Sequence, residues 1–226
     1  HPAVSVDFDT LYSNLQDRVN SGLGYLQKND NGLEIYNYSQ ECMWEKSWDI
    51  YSIVSRGLIL CPSKKKIVAL TFPKFANFGE LTYDLPNLPF TTNVKYDGSL
   101  AIIFWDGQWN VATRGSFSSD QAIWAKNWLD KNIDFSKFDK NVTYLAEIIY
   151  RANRIVVSYD FEGLVLLSGY DVITGKEKTY EELTAFGQVV NMRVAEQKVF
   201  SSIDEIVKIC DELGSNEEGF VVRFSN

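Results

Sequence analysis

The sequence predicts an α+β fold built mostly of antiparallel sheets. Three observations carry that prediction. Apolar or alternating runs of strand length recur between residues 32 and 104 and again after Asp139, each bounded by Pro, Gly or Asn. Asp106-Gly107 separates two of these runs at hairpin spacing. Helical periodicity is confined to a few capped segments placed irregularly among the strands, without the regular strand-helix alternation of a parallel sheet.

Taken in order, residues 7–19 put Phe8, Leu11, Leu15 and Val19 on one helical face, an N-terminal packing helix. Strands follow at 33–38, 57–60 and 67–70, with Lys64-Lys65-Lys66 as a solvated turn between the last two. Residues 100–104 and 109–113 form the hairpin across Asp106-Gly107. Ser118 or Ser119 caps a helix through Ala122, Ile123, Ala125 and Trp128. Strands return at 142–149, 154–157 and 164–170. Ser201 or Ser202 opens a helix carrying Ile203, Ile206, Val207 and Ile209, closed by Gly214, and the last strand spans 219–224.

Composition narrows the chemistry. With 226 residues, 45% of them hydrophobic and 14% aromatic, the chain can bury a substantial core. No apolar run is long enough to span a bilayer, and no secretory leader pattern opens the sequence, so the expectation is a monomeric, cytoplasmic protein. Three widely separated cysteines suggest neither a disulfide framework nor a zinc site. The single histidine, His1, leaves catalysis to Lys, Arg, Asp and Glu. A net charge of -8 argues against a broad nucleic-acid footprint, though a strand end needs only a local basic groove.

Lys95-Tyr96-Asp97-Gly98-Ser99 is the segment on which function turns. Read alone it fits a surface lysine before an Asp-Gly turn as well as a nucleophilic amine. Other segments decide between them: Val54-Ser55-Arg56-Gly57-Leu58-Ile59-Leu60, Lys74-Phe75-Ala76-Asn77-Phe78-Gly79-Glu80, Ala112-Thr113-Arg114-Gly115-Ser116, Tyr144-Leu145-Ala146-Glu147-Ile148-Ile149, Asn153-Arg154-Ile155-Val156-Val157 and Glu217-Glu218-Gly219-Phe220-Val221-Val222-Arg223. In this order they resemble the nucleotidyltransferase core shared by ATP-dependent ligases and capping enzymes, and in detail the phage RNA ligase I type. The resemblance runs from about Leu33 to the chain end and implies one adenylyltransferase domain over residues 1–226, with a nucleotide cleft between packed sheets.

The resemblance implies that Lys95 attacks ATP to form lysyl-AMP, passes AMP to a 5′-phosphate RNA end, and that a 3′-hydroxyl then displaces it. The RNA would be single-stranded or a broken tRNA anticodon loop, and the setting a host cell in which a phage or virus repairs RNA. Arg56 is implied as a phosphate contact, Lys74 as a triphosphate contact, and Arg114 as a contact to the ribose or the RNA end. Gly98 would let the backbone approach the nucleotide, while Asp97 would orient Lys95 or a metal-bound water. Glu147, in an apolar strand, needs a partner such as a ribose hydroxyl or a hydrated magnesium. Glu218 is the metal candidate, with Glu217 the alternative, and Mg2+ or Mn2+ the ion. Ser99 reads as structural and Glu162 as a turn residue. Asn153 and Arg154 either shape the site from behind or meet the RNA end. Tyr36 and Tyr38 are the candidates for stacking on adenine.

One departure stands out. The family pattern continues into a strand with two lysines one residue apart and then a helical C-terminal domain, whereas this sequence stops at Ser225-Asn226. The expectation is a core truncated before its last strand. Two other functions stay open beside the ligase: the adenylyltransferase module of a multidomain tRNA ligase, and a nucleotide- or RNA-binding module that has lost catalysis.

Overall fold

The computed structural model describes residues 1–80 and 84–225. Its first element, helix α1 (Phe8–Asn20), is capped by the Asp7 carboxylate, which accepts from the Thr10 amide. Leu11 and Leu15 are buried beneath it, with Phe8 and Val19 packed alongside. Strands β1 (Gly24–Lys28), β2 (Glu34–Tyr38), β3 (Arg56–Cys61) and β4 (Lys66–Ala69) form one antiparallel sheet in that order. Short helices α2 (Gln40–Trp44) and α3 (Ile50–Val54) interrupt it, each capped by a side chain, Ser39 and Asp49 respectively. The three lysines lie in and beside the turn between β3 and β4, where Lys65 adopts a left-handed conformation.

The central sheet is longer. After β5 (Phe90–Val94) come β6 (Ser99–Trp105), β7 (Trp109–Ala112), helix α4 (Asp120–Asn132), β8 (Val142–Ile149) and β9 (Gly163–Asp171). Helix α5 (Tyr180–Val190), the short strands β10 (Arg193–Val194) and β11 (Gln197–Lys198), helix α6 (Ile203–Glu212) and β12 (Phe220–Phe224) complete the chain. The central sheet runs β10-β9-β8-β6-β7, and only the β10-β9 pairing in it is parallel. A third sheet, β11-β5-β12, is antiparallel throughout.

Strand alternation distributes the core over both faces of the central sheet. Ile102, Phe104 and Leu145 pack toward the first sheet and α1, whereas Ala101, Ile103, Tyr144, Ala146 and Ile148 pack toward α4 and α5. Glu147 shares the period of Leu145, so it faces the same way as the first sheet, at the end where the sheets part.

The structure corrects the expectations in three places. Residues 154–157 are not a strand: a single 3-10 turn (Arg151–Asn153) leads into an irregular segment. Ile155 and Val156 are exposed and only Val157 is buried, and the amides of Val156 and Val157 are satisfied by a side chain in place of a ladder. Helix α5 was missed, although Thr179 and Glu182 form a complete capping box at its start. The third sheet was not anticipated as a separate body, because β5 lies far in sequence from its partner β12.

Leu145 is fully buried in the central strand β8. Replacing it with Ala should lower unfolding free energy by about 2–5 kcal/mol, read from the urea midpoint at unchanged slope.

Candidate active site

A cleft of about 2230 Å³ opens where the three sheets diverge. Arg56, Lys74, Lys95, Gly98, Arg114 and Glu147 all border it. Asp97 and Glu218 stand just behind that wall, each close enough to Lys95 or Glu147 to enter the electrostatics of the carboxylates.

Lys95 follows the last residue of β5, and its backbone amide donates to the Gly219 carbonyl at 3.0 Å, just ahead of β12. The nucleophile candidate is thereby fixed to the strand that follows Glu218. Its side chain is exposed, and among the described residues it makes no ion pair. The loop continues to Gly98, whose amide donates to Glu147 Oε1 at 3.0 Å. A Cβ on Gly98 would sit 2.2 Å from the Ile148 carbonyl oxygen. The close approach that demands glycine is therefore to the backbone of β8, a neighbour that sequence could not identify.

Asp97 grips the segment that follows the 3-10 turn. Its Oδ2 accepts from the Val156 and Val157 amides at 2.6 and 2.9 Å, and its own amide donates to the Tyr159 hydroxyl at 2.8 Å. The carboxylate thus ties the irregular segment at 154–157 to the lysine loop. Asn153 braces the same region from behind, donating to the Ile148 carbonyl and pairing with the Ser99 hydroxyl. Glu162 is exposed and accepts from the Arg151 amide at 3.1 Å, away from the cleft lining.

Two arginines converge on the opposite wall. Gly57 has φ of +94°, and the space where its Cβ would lie is closed by Ile102 Cδ1 at 2.9 Å and Arg114 Cα at 3.3 Å. This packing brings both Arg-Gly segments together. Arg114 donates from Nε to Asn37 Oδ1 at 3.0 Å and lies over the Tyr38 ring, 4.6 Å from its centroid. Burial, followed by the charge of Arg114, pulls the Arg56 guanidinium below its ordinary pKa. Two neighbouring guanidiniums with no carboxylate in ion-pair range among the described residues leave a positive wall that can attract an anion. Lys74, 5.7 Å from the Trp48 ring centroid, borders the same space.

Neither tyrosine suggested for adenine stacking is free. Tyr36 is buried and its hydroxyl bonds Glu34 and Gln16, while Tyr38 is covered by Arg114 and Trp48. Sequence reading also missed Asn37, which positions Arg114, and the Arg223–Glu177 ion pair on the cleft lining. Glu177 carries no local signal. Asn37 is conspicuous only as a polar residue within an apolar strand.

Two carboxyls are lifted to about 7. For Glu147 the cause is burial, reinforced by the charges of Glu218 and Asp97 and opposed by the Gly98 amide and Lys95. For Glu218 it is burial, then the charge of Asp97. Glu218 Oε1 is buried without a hydrogen-bond partner, an arrangement that a cation would relieve. Among the described residues no three acidic, Cys or His side chains meet closely enough to hold a metal alone. The residues present fit a divalent ion that takes Glu218 and completes its shell with phosphate and water oxygens.

The fold is that of a ligase nucleotidyltransferase core. An archaeal ATP-dependent RNA ligase superposes with a TM-score of 0.66 at 16% identity, over 97% of this chain and 62% of that one. The RNA ligase family model matches residues 54–226, and the chain belongs to that family. The RNA ligase of Rhodothermus phage RM378 is 22% identical over 76% of this chain and 50% of that protein. A putative bifunctional polynucleotide kinase/RNA ligase of Autographa californica nuclear polyhedrosis virus is 26% identical over 87% of this chain and 31% of its own length. The chain thus spans half or less of these curated relatives. Among the described residues no helix is long and apolar enough to cross a membrane.

The raised carboxyls set a pH dependence. Between the ordinary glutamate value of 4.5 and about 7, Glu147 holds its proton more in the folded chain than in the unfolded one. The folded state then binds the extra proton, so stability falls as pH rises through that window. The melting temperature, followed without metal, should decline from pH 5 to pH 8, and Glu147→Gln should flatten the decline.

Proposed function

We propose that this chain is the nucleotide-accepting core of an ATP-dependent RNA ligase. The observation that carries the reading is the placement of an exposed lysine amine in one cleft between an arginine pair and two partly buried carboxyls. Lys95, once deprotonated, attacks the α-phosphorus of ATP, forms a phosphorus–nitrogen bond and releases pyrophosphate. AMP then passes to the 5′-phosphate of an RNA end, and the 3′-hydroxyl of a second end displaces it to seal the strand.

Each step moves negative charge onto phosphate oxygens, and the wall opposite the carboxyls supplies cations for it. Arg56 and Lys74 take the triphosphate, and Arg114, fixed by Asn37, takes the ribose or the RNA end. Glu147 accepts a hydrogen bond from a ribose hydroxyl while it holds the loop through Gly98. Magnesium or manganese, bound by Glu218 with phosphate oxygens and water, would neutralise charge on the transferred and leaving groups. Asp97 adds its charge beside that ion and acts chiefly through its grip on residues 156 and 157. Substrate ends of single-stranded RNA, including broken tRNA loops, suit a cleft larger than a nucleotide alone requires. A phage or viral setting agrees with the two curated relatives.

Incubation with ATP labelled at its α-phosphate, followed by denaturing electrophoresis, tests the reading. Wild type should take label in an acid-labile, base-stable bond, and Lys95→Ala should take none. Label persisting in that variant would sink the assignment.

Two glutamates that precede glycine should separate in the same assay. Glu218→Ala should slow metal-dependent labelling by roughly a hundredfold or more, and Glu162→Ala should change it little. The reverse ranking would move the metal to the wrong strand for this reading.

A further inference from the structure

Beyond the cleft, one surface combines stacked aromatics, exposed apolar side chains and exposed arginines. Trp124 on α4 and Tyr150 after β8 stack at 4.5 Å between centroids, 16° from parallel, and the core beneath holds them in place. The chain then turns through Arg151 to Arg154, both exposed and neither in an ion pair among the described residues. Ile155 and Val156 follow, 63% and 53% exposed, although the rest of the motif around them is braced by hydrogen bonds. Glu162 engages the Arg151 amide and leaves its guanidinium free for another partner.

This surface is continuous with the cleft. Gln121, which borders the cleft, donates to Asn153 Oδ1 at 3.3 Å. On the other side Asp97 holds the Val156 and Val157 amides two residues from Lys95. Anything seated on Arg154 and Ile155 therefore lies one short loop from the amine. Two exposed arginines set among aromatic and apolar faces, with Glu162 and Asp120 at the margin, match a single-stranded nucleic acid, whose phosphates seek cations and whose bases seek flat apolar ground. On a chain of net charge -8, these two exposed arginines make no ion pair among the described residues, and Arg154 commits only its Nε, to the Val156 carbonyl at 3.1 Å, leaving its terminal nitrogens for a phosphate.

We propose that this surface is the docking track for the single-stranded RNA segment leading to the end held in the cleft. Arg151 and Arg154 take phosphates, while the Trp124–Tyr150 stack and the Ile155–Val156 pair receive bases. The inference rests on the RNA ligase reading above and adds to it the path of the strand.

The test is fluorescence anisotropy with a 5′-phosphorylated single-stranded RNA across a salt series, run beside the ATP-labelling assay. The double variant Arg151→Gln/Arg154→Gln should take label like wild type, since neither side chain borders the nucleotide cleft. Its RNA affinity should fall roughly tenfold, and its logarithmic salt slope should shrink by about 1.4, from about 0.7 for each lost phosphate contact on single strands. Ile155→Ser should weaken binding with the slope intact. Unchanged affinity and slope in the double variant would overturn the proposal and leave the surface to a protein partner. Absence of label in wild type would instead sink the ligase reading, and the RNA titration would still decide the track.

Discussion

The hydrogen bond from the Gly98 amide to Glu147 holds the candidate site together. It joins the loop after Lys95 to the middle strand of the central sheet, and the missing side chain of Gly98 lets the two backbones touch. A buried carboxylate is costly without such a donor, and a charge-assisted bond to an amide is among the stronger single contacts available. The strand order turns this local contact into a global one. Lys95 bonds Gly219, which leads into β12, and β12 pairs along its whole length with β5. The third sheet is thus docked to the central sheet partly through the loop that carries the nucleophile, so the placement of Lys95 relative to Glu147 is a property of how two sheets meet.

Electrostatics divides the cleft into two walls. Arg56, Arg114 and Lys74 stand on the side of the first sheet, and Glu147, Asp97 and Glu218 on the side of the lysine loop. The net charge of the chain says little about either wall, because the acidic excess is spread over the surface while the arginines are gathered by the packing of Gly57 against Arg114. An arginine pair in mutual repulsion is unfavourable until an anion arrives. On the ligase reading, that anion is a phosphate beside the exposed Lys95 amine.

Much of this was legible in sequence, and the exceptions have physical causes. Caps at Ser119 and Ser202 announced their helices, because a side chain that satisfies an end amide is a local event, and the apolar spacing of Phe8, Leu11, Leu15 and Val19 announced α1. The hairpin at Gly107 and the period-2 strands of the central sheet were equally local. Residues 154–157 read as a strand because branched apolar side chains favour extended backbone. What decides their structure is a carboxylate some sixty positions earlier, Asp97, which occupies amides that a ladder would need. Tyr36 looked available in an alternating strand, yet β2 is buried along both faces, between α1 and its neighbouring strands. The pairing of Arg223 with Glu177 and the bracing of Arg114 by Asn37 belong to tertiary contacts that no window of sequence contains.

The two carboxyls near 7 bear on how the cleft is charged before and after its ligands arrive. With Glu147 and Glu218 partly protonated near neutrality, the ligand-free cleft carries less negative charge than its acidic residues suggest. That arrangement limits repulsion toward an incoming polyanion. On the ligase reading, Glu218 would exchange its proton for a divalent ion, so metal affinity would rise as pH climbs through the same window. Glu147 gains from the change as well, since part of its lift comes from the neighbouring Glu218 charge. Once a cation screens that neighbour, Glu147 ionises more readily and holds the Gly98 amide more strongly. Occupancy of the metal position would then tighten the loop that presents Lys95, and charge neutralisation and positioning of the nucleophile become one event.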